Sequence, residues 1–204
     1  MMVTSVIRLD PKRSKVLFEQ DLALVLYPED LRNFSIEEGK ELSQEAYERL
    51  LNQVVKPRAR ERLLKALMIS DKTEKQLREM LLREGYPKEA IEESVSMALS
   101  YHYIDDSAYG TRYLESYGRK KSRRQLMWDM QKKGFSKELV SQLLQECPID
   151  EKEQIRSLLE KKGYSPGANM DPKVYGKFAG MLARKGYSYE AVTQVLREFS
   201  LTFD

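Results

Sequence analysis

The chain has 204 residues and a formal net charge of only +3, from 35 basic and 32 acidic residues. Its one cysteine, Cys147, excludes an intramolecular disulfide and a cysteine-rich zinc site, and we expect it to be a small core residue. No segment has the apolar length of a signal peptide, and none reaches the roughly 18 apolar residues of a membrane span. We therefore expect a cytoplasmic protein without membrane contact, whose overall charge balance does not indicate nucleic-acid binding.

The first 27 residues carry strand signals. Short β-branched or apolar runs cover residues 3–9, 15–18 and 22–27, and Asp10-Pro11-Lys12 and Gln20-Asp21 separate them. They predict a small β-meander, which must dock on another element because three short strands bury little surface. A helix is expected to begin after the N-cap Ser43 and to run to about Val55, where Pro57 would end it.

One pattern then recurs three times along the chain. Each copy has apolar residues eight and four positions before a glycine, an aromatic residue after it, then Pro or Ser, and a Glu two residues further on. The glycines are Gly85, Gly134 and Gly186, which lie 49 and 52 residues apart. A period near 50 residues predicts tandem helical units that stack on one another. The glycine suits the left-handed position that ends a helix.

The predicted fold is mainly α, with three tandem three-helix repeats in an elongated curved array and a small β-strand N-terminal segment. The expected segments are residues 1–56, 57–104, 105–149 and 150–204. The expected helices are 60–69, 73–84 and 88–101 in the first repeat, 106–118, 122–133 and 137–146 in the second, and 151–162, 171–185 and 189–199 in the third. Residues 162–169 are the most loop-like stretch and are expected to form a flexible joint.

The strongest charge feature lies in the second repeat. Between Gly110 and Phe135 there are eight basic and two acidic residues. Positive charge at a helix start opposes the helix dipole, so an anion bound there would relieve the conflict. This predicts a phosphate or acidic-protein contact, against the alternative of a solvated turn, through Arg119, Lys120, Lys121, Arg123, Arg124, Lys132 and Lys133. The basic residues of segment 56–62 are a weaker candidate for such a contact.

Catalytic patterns are missing from the sequence. The only histidine, His102, lies between two tyrosines, and no phosphate loop, metalloprotease motif or dinucleotide fingerprint occurs. We expect no enzyme activity, no cofactor and no metal. Asp105 and Asp106 precede a helix and are expected to cap it, with a partner contact, together with Arg112, as the second interpretation. The aromatic residues of this repeat are expected in its core: Tyr109, Tyr113, Tyr117 and Trp128.

Several of these segments together resemble the RecX family of bacterial recombinase regulators. They are Tyr103-Ile104-Asp105-Asp106, Tyr113-Leu114, the run from Leu126 through Met130 to Lys132-Lys133-Gly134-Phe135, and residues 73–86. The resemblance covers about residues 58–200. The chain departs from the family at Tyr109, where Phe is usual, at Gly110, where Ala is more usual, and at Ser122-Arg123, where Gly-Pro is frequent.

The resemblance implies a non-enzymatic regulator in recombination, DNA repair and the SOS response. Such a protein binds the RecA recombinase and the RecA–DNA filament, and it modulates, usually by inhibition, strand exchange, ATPase and coprotease activity. Residues 119–124 would face DNA phosphates or acidic filament loops, and a monomer is expected. Neutralising the five basic residues of that segment should weaken inhibition and leave the fold intact.

Two alternatives stay open. Three-helix units with a glycine turn also occur in helix-turn-helix DNA-binding proteins, which would act without a recombinase partner. A Glu near the start of each third helix would repel phosphate and argues against insertion into a DNA groove. A purely structural scaffold is the other alternative, and it leaves the basic segment without an explanation.

Overall fold

The computed structural model describes residues 1–19, 22–167 and 170–200. The chain divides into two compact units, Met1–Asp106 and Ser107–Asp204. The predicted turn Gln20-Asp21 and residues 168–169 of the expected joint lie outside the described residues. The prediction of a mainly α fold with three-helix repeats and a small N-terminal sheet is confirmed, whereas the elongated arrangement and the four-segment division stay predictions.

The first unit begins with the predicted meander. Strands β1 (Val3–Asp10), β2 (Arg13–Phe18) and β3 (Ala23–Leu26) form an antiparallel sheet in that order. Alternate residues of β2 and β3 point to the same face, and those on the inner face are fully buried: Val16, Phe18, Leu24 and Leu26. This face packs on the continuous helical segment 44–69. The contacts are made by Leu50, Leu51, Val55 and Ala59.

The helices agree closely with the predicted ones, apart from α1, which was not predicted. In the first unit they are α1 (Pro28–Asn33), α2 (Gln44–Leu50), α3 (Lys56–Ile69), α4 (Glu74–Arg83) and α5 (Lys88–Ser100). In the second unit they are α6 (Asp106–Tyr117, whose first residue closes the first unit), α7 (Arg123–Lys132), α8 (Lys137–Glu146), α9 (Glu151–Glu160), α10 (Pro172–Arg184) and α11 (Tyr189–Ser200). Each repeat has its own buried apolar cluster.

The predicted helix end at Pro57 is wrong. Helix α2 continues through a π-helical turn, Leu51–Val55, directly into α3, where Pro57 lies in the first turn. The Lys56 N–H donates to the carbonyl of Leu51, five residues back. In a regular helix the proline ring would clash with the carbonyl four residues back, and the wider turn accommodates the ring.

The repeated glycine turn forms as predicted. Gly85, Gly134 and Gly186 have φ values of +85°, +98° and +81°. The N–H of the following aromatic residue donates to the carbonyl five residues back, in the pairs Tyr86–Leu81 at 3.1 Å, Phe135–Met130 at 3.2 Å and Tyr187–Leu182 at 3.2 Å. This closure turns the third helix back onto the second, and the apolar residues of the pattern are buried in each repeat.

Acidic residues join consecutive repeats at helix starts. The N–H of Glu74, the first residue of α4, donates to Asp106 Oδ1 at 3.0 Å. The N–H of Arg123, the first residue of α7, donates to Glu151 Oε1 at 2.9 Å. Asp106 and Glu151 are themselves the first residues of the next repeat's helices, α6 and α9. The first N–H groups of a helix have no partner within that helix. Asp106 and Glu151 therefore each accept such an N–H, from α4 and α7 respectively.

The first prediction concerns Gly85. A Cβ there would overlap the side chain of Val25 in β3, and the positive φ disfavours any other residue. We expect Gly85→Ala to lower the free energy of unfolding by about 2–5 kcal/mol, the sum of backbone strain and overpacking. Gly39→Ala is the matched control, because Gly39 has φ +78° but nothing within 4 Å of a Cβ. Its expected cost is about 1–2 kcal/mol, and equal losses in urea titrations would contradict a role for the Val25 contact.

The second prediction concerns Asp106. Burial, then repulsion from Glu74 and Asp105, raise the pKa of this carboxyl above 3.8, against the lowering effect of the Glu74 N–H. The native state therefore binds the proton more tightly than the unfolded state, and this contribution to stability is lost as the pH rises through the raised pKa. Asp106→Asn keeps the acceptor oxygen without the charge, so we expect it to be at least as stable as the parent at neutral pH.

The control for Asp106→Asn is Asp106→Ala, which leaves the Glu74 N–H unpaired and should cost about 1 kcal/mol. Urea unfolding at about pH 7 and about pH 4 measures both variants, and the advantage of Asn over Asp should shrink at the lower pH. An Asn variant less stable than the parent at neutral pH would show that the negative charge, and not the oxygen acceptor, holds the start of α4.

Candidate functional site

The basic turn, residues 119–124, connects α6 to α7 and is firmly held at its end. The Ser122 side chain is buried and caps α7 by accepting a hydrogen bond from the Gln125 N–H at 3.3 Å. The same hydroxyl donates to the carbonyl of Lys185 at 2.7 Å, which ties the turn to the end of α10. A hypothetical Cβ on Gly186 would lie 3.3 Å from the Cβ of Arg124, so the glycine permits this close approach.

Two of the five basic side chains in the turn hold structure. Lys121 Nζ bonds to Asp129 Oδ2 at 2.6 Å and lies 4.7 Å from the ring centre of Tyr117. The hydrogen bond to Asp129 is the main cause of a raised pKa for Lys121. Arg123 Nη1 donates to the carbonyl of Leu144 at 2.8 Å. Because of these contacts we expect neutralisation of Lys121 or Arg123 to lower the stability of the fold, in contrast to the expectation from the sequence that all five charges can be removed without harm.

The other three basic side chains of the turn face solvent. Arg119, Lys120 and Arg124 are exposed, and none forms an ion pair with any residue that the structure describes. The basic residues of segment 56–62 are different, because each has an acidic partner: Lys56 with Glu89, Arg58 with Asp30, Arg60 with Glu93 and Arg62 with Glu84. Basic side chains without an acidic partner therefore occur in the basic turn, whereas those of segment 56–62 are paired.

The start of α7 already has an anion, and this corrects the reason for expecting an external one there. Glu151 accepts the Arg123 N–H through Oε1 and the N–H of Ser188, before α11, through Oε2, both at 2.9 Å. A single carboxylate therefore serves two helix starts. A phosphate at the basic turn would therefore contact the charged side chains and not the N–H groups at the start of α7.

Helix α7 extends the charged surface along one side. Arg124, Trp128 and Lys132 are spaced four residues apart, so they share one face of the helix, and all three are exposed. Lys132 Nζ lies 4.9 Å from the ring centre of Trp128. We call Arg119, Lys120, Arg124, Trp128 and Lys132 the basic stripe.

The predicted core position of Trp128 is wrong, because its side chain is 61% exposed. The buried side of α7 carries Leu126 and Met130. Trp128 lies two residues from each, which is about 200° around the helix. The spacing of Leu126, Trp128 and Met130 in the sequence already indicates that the tryptophan lies on the opposite, exposed side of the helix. Tyr113 is buried as predicted, and Tyr109 is half-buried against Phe135 at 5.1 Å between ring centres, whereas Tyr117 is exposed.

The remaining predicted contact residues divide between the two units. Asp106 caps α4, in the first unit, in addition to standing at the start of α6, and Asp105 beside it is exposed. Arg112 is exposed on α6 in the second unit. Lys133 is half-buried, and its Nζ lies 5.5 Å from the ring centre of Tyr113. It therefore does not belong to the basic stripe, unlike its neighbour Lys132.

No helix in the described ranges is both long and apolar enough to cross a membrane.

Comparisons with known proteins agree on one family. Residues 150–196 match a family model described as the third three-helix domain of RecX. Regulatory protein RecX of Caldanaerobacter subterraneus subsp. tengcongensis is 33% identical, over 79% of this chain and 84% of that protein. Regulatory protein RecX of Clostridium tetani is 32% identical, over 66% of this chain and 64% of that protein.

Solved structures show the same fold. A crystal structure of regulatory protein RecX superimposes with a TM-score of 0.62 over 95% of this chain and 98% of that chain, at 18% identity. RecX from Lactobacillus salivarius also gives a TM-score of 0.62, over 72% of this chain and 97% of that chain, at 19% identity. With the repeated glycine turns and the matching third repeat, these similarities show that the chain belongs to the RecX family of regulatory proteins.

Proposed function

We propose that this protein binds the RecA recombinase and the RecA–DNA filament in the cytoplasm and inhibits strand exchange, ATPase and coprotease activity. It does so by binding alone, without a reaction of its own and without a cofactor. The observation that carries the proposal is the basic stripe in a chain of the RecX family. Three of its charges, Arg119, Lys120 and Arg124, have no acidic partner among the described residues.

The composition of the stripe suits single-stranded or filament-bound nucleic acid. Exposed Lys and Arg side chains neutralise phosphates, and an exposed aromatic ring provides a stacking surface for a base. Trp128 lies between Arg124 and Lys132 on one face of α7, which places the ring among the charges. Lys121, Arg123 and Lys133 are not counted in the stripe, because each contacts other parts of the second unit.

The primary measurement is the single-stranded-DNA-dependent ATPase rate of the cognate recombinase, titrated with this protein at substoichiometric amounts. We expect a fall in rate at low ratio, because a protein that blocks filament growth acts on many protomers at once. No effect on the ATPase, with sequence-selective duplex binding instead, would overturn the proposal and favour the helix-turn-helix alternative.

The third prediction replaces the unpaired charges. The triple change Arg119→Gln, Lys120→Gln and Arg124→Gln should weaken inhibition and leave thermal stability unchanged, because none of these side chains forms an ion pair within the described residues. If all three contact single-stranded phosphates, the slope of log binding constant against log salt should fall in magnitude by roughly 2. Binding to a filament on single-stranded DNA at several salt concentrations measures this slope.

The matched control is Lys161→Gln, Lys162→Gln and Lys173→Gln, which removes the same charge from exposed positions elsewhere in the second unit. It should keep the parent's salt slope and inhibition. Equal loss in both triple variants would show a dependence on net charge alone and would remove the specific role of the basic stripe.

A further inference from the structure

A second surface of the second unit lies between α7, α10 and α11. It is an open groove with a volume of about 830 Å³. Its floor is formed by small or aliphatic residues, Ala179, Gly180, Ala183 and Val192, and its walls include Met127 and Tyr189. We call it the α10 groove.

The α10 groove leaves apolar surface in contact with water. Tyr189 is 85% exposed and Met127 is 40% exposed. Helix α10 contributes Tyr175 and the small residues Ala179, Gly180 and Ala183 to the lining. Apolar walls and an open floor are the features of a site that takes an apolar side chain from another molecule.

The rim of the α10 groove is positively charged. Arg184 reaches back over the floor, with Nη1 3.6 Å from the position of a Cβ on Gly180. Arg124 crosses the opposite end, where its Cδ lies 3.5 Å from the position of a Cβ on Gly186. The acidic group at the wall, Glu151, has both oxygens engaged by the N–H groups of Arg123 and Ser188. The rim therefore favours an occupant with carboxylates beside its apolar side chains.

Phosphate is a poorer occupant of this groove than a protein segment. The two helix starts beside it, those of α7 and α11, already have the Glu151 carboxylate, so the N–H groups of Arg123 and Ser188 are not open to a phosphate. The lining combines the aliphatic residues of the floor with Tyr175, Tyr187 and Tyr189, and a mixed apolar lining of this kind accepts apolar side chains of a protein segment. An amphipathic helix matches both the apolar floor and the basic rim.

We propose that the α10 groove is a docking site for an acidic amphipathic segment of the recombinase, next to the basic stripe, with which it shares Arg124. This inference rests on the proposed function, which it deepens by assigning protein and nucleic acid to two adjacent surfaces. Apolar side chains of the segment occupy the floor over Ala179 and Ala183. Its carboxylates pair with Arg184 and Arg124 at the rim.

The test uses the full chain, the DNA-free cognate recombinase and, separately, a single-stranded oligothymidylate. Ala183→Phe fills the floor, and Arg184→Glu reverses the charge of the rim. Each should weaken binding to the recombinase at least about tenfold, as removal of a central interface contact does, and leave oligothymidylate binding within about twofold. The two variants act by different means, so one remains informative if the other is poorly folded in thermal unfolding.

Each variant has a matched control. Ser141→Phe adds the same ring to an exposed position of α8, and Lys161→Glu reverses a charge at the end of α9, as Arg184→Glu does at the end of α10. Both controls should bind the recombinase as the parent does. Loss of binding in the controls as well would show a nonspecific effect and overturn the assignment of the groove.

The remaining outcomes separate this inference from the proposed function. If the parent and the groove variants bind the recombinase equally, the inference is overturned and the proposed function stands. If the groove variants lose oligothymidylate binding instead, the groove is a nucleic-acid site and the inference is overturned in that direction. If the parent itself does not bind the recombinase, the proposed function fails, and this inference fails with it.

Discussion

The left-handed glycine after the second helix of each repeat is the constraint on which the rest of the structure depends. It lets the next aromatic N–H reach the carbonyl five residues back, and this turns the third helix onto the second. At Gly85 and Gly186 the missing Cβ has a second effect. It lets Val25 approach in the first unit and Arg124 in the second, so one residue type sets both the turn and a longer-range contact. A side chain at these positions would disturb both at once.

Two acidic residues accept hydrogen bonds from the N–H groups at helix starts. Asp106 and Glu151 accept the first N–H of α4 and α7, each from the beginning of the next repeat. In the third repeat the second helix, α10, begins with Pro172, which has no N–H, so no such partner is required. Glu151 forms no ion pair with Arg119, Lys120 or Arg124. These three charges of the basic turn are thus left without an acidic partner among the described residues.

The second unit carries two surfaces of different chemistry. The basic stripe combines exposed charges with Trp128, whereas the α10 groove has an aliphatic floor beneath an arginine rim. Arg124 belongs to both, because its side chain crosses the end of the groove while its position on α7 aligns it with Trp128 and Lys132. The proposed function requires recognition of both protein and phosphate, and the chemistry of the two surfaces suits one each.

The sequence by itself determined the local features: the strands, the glycine turns, nearly all helix boundaries and the N-cap at Ser43. These depend on residues close together in the chain, so spacing and residue type are enough. Only the tertiary structure decided which charges are used internally. Lys121, Arg123 and Glu151 find partners 8 to 37 residues away. Pro57 is accommodated by a π-helical turn whose Leu51 and Val55 side chains pack in the core. Such pairings follow from how helices stack, and no local pattern encodes them.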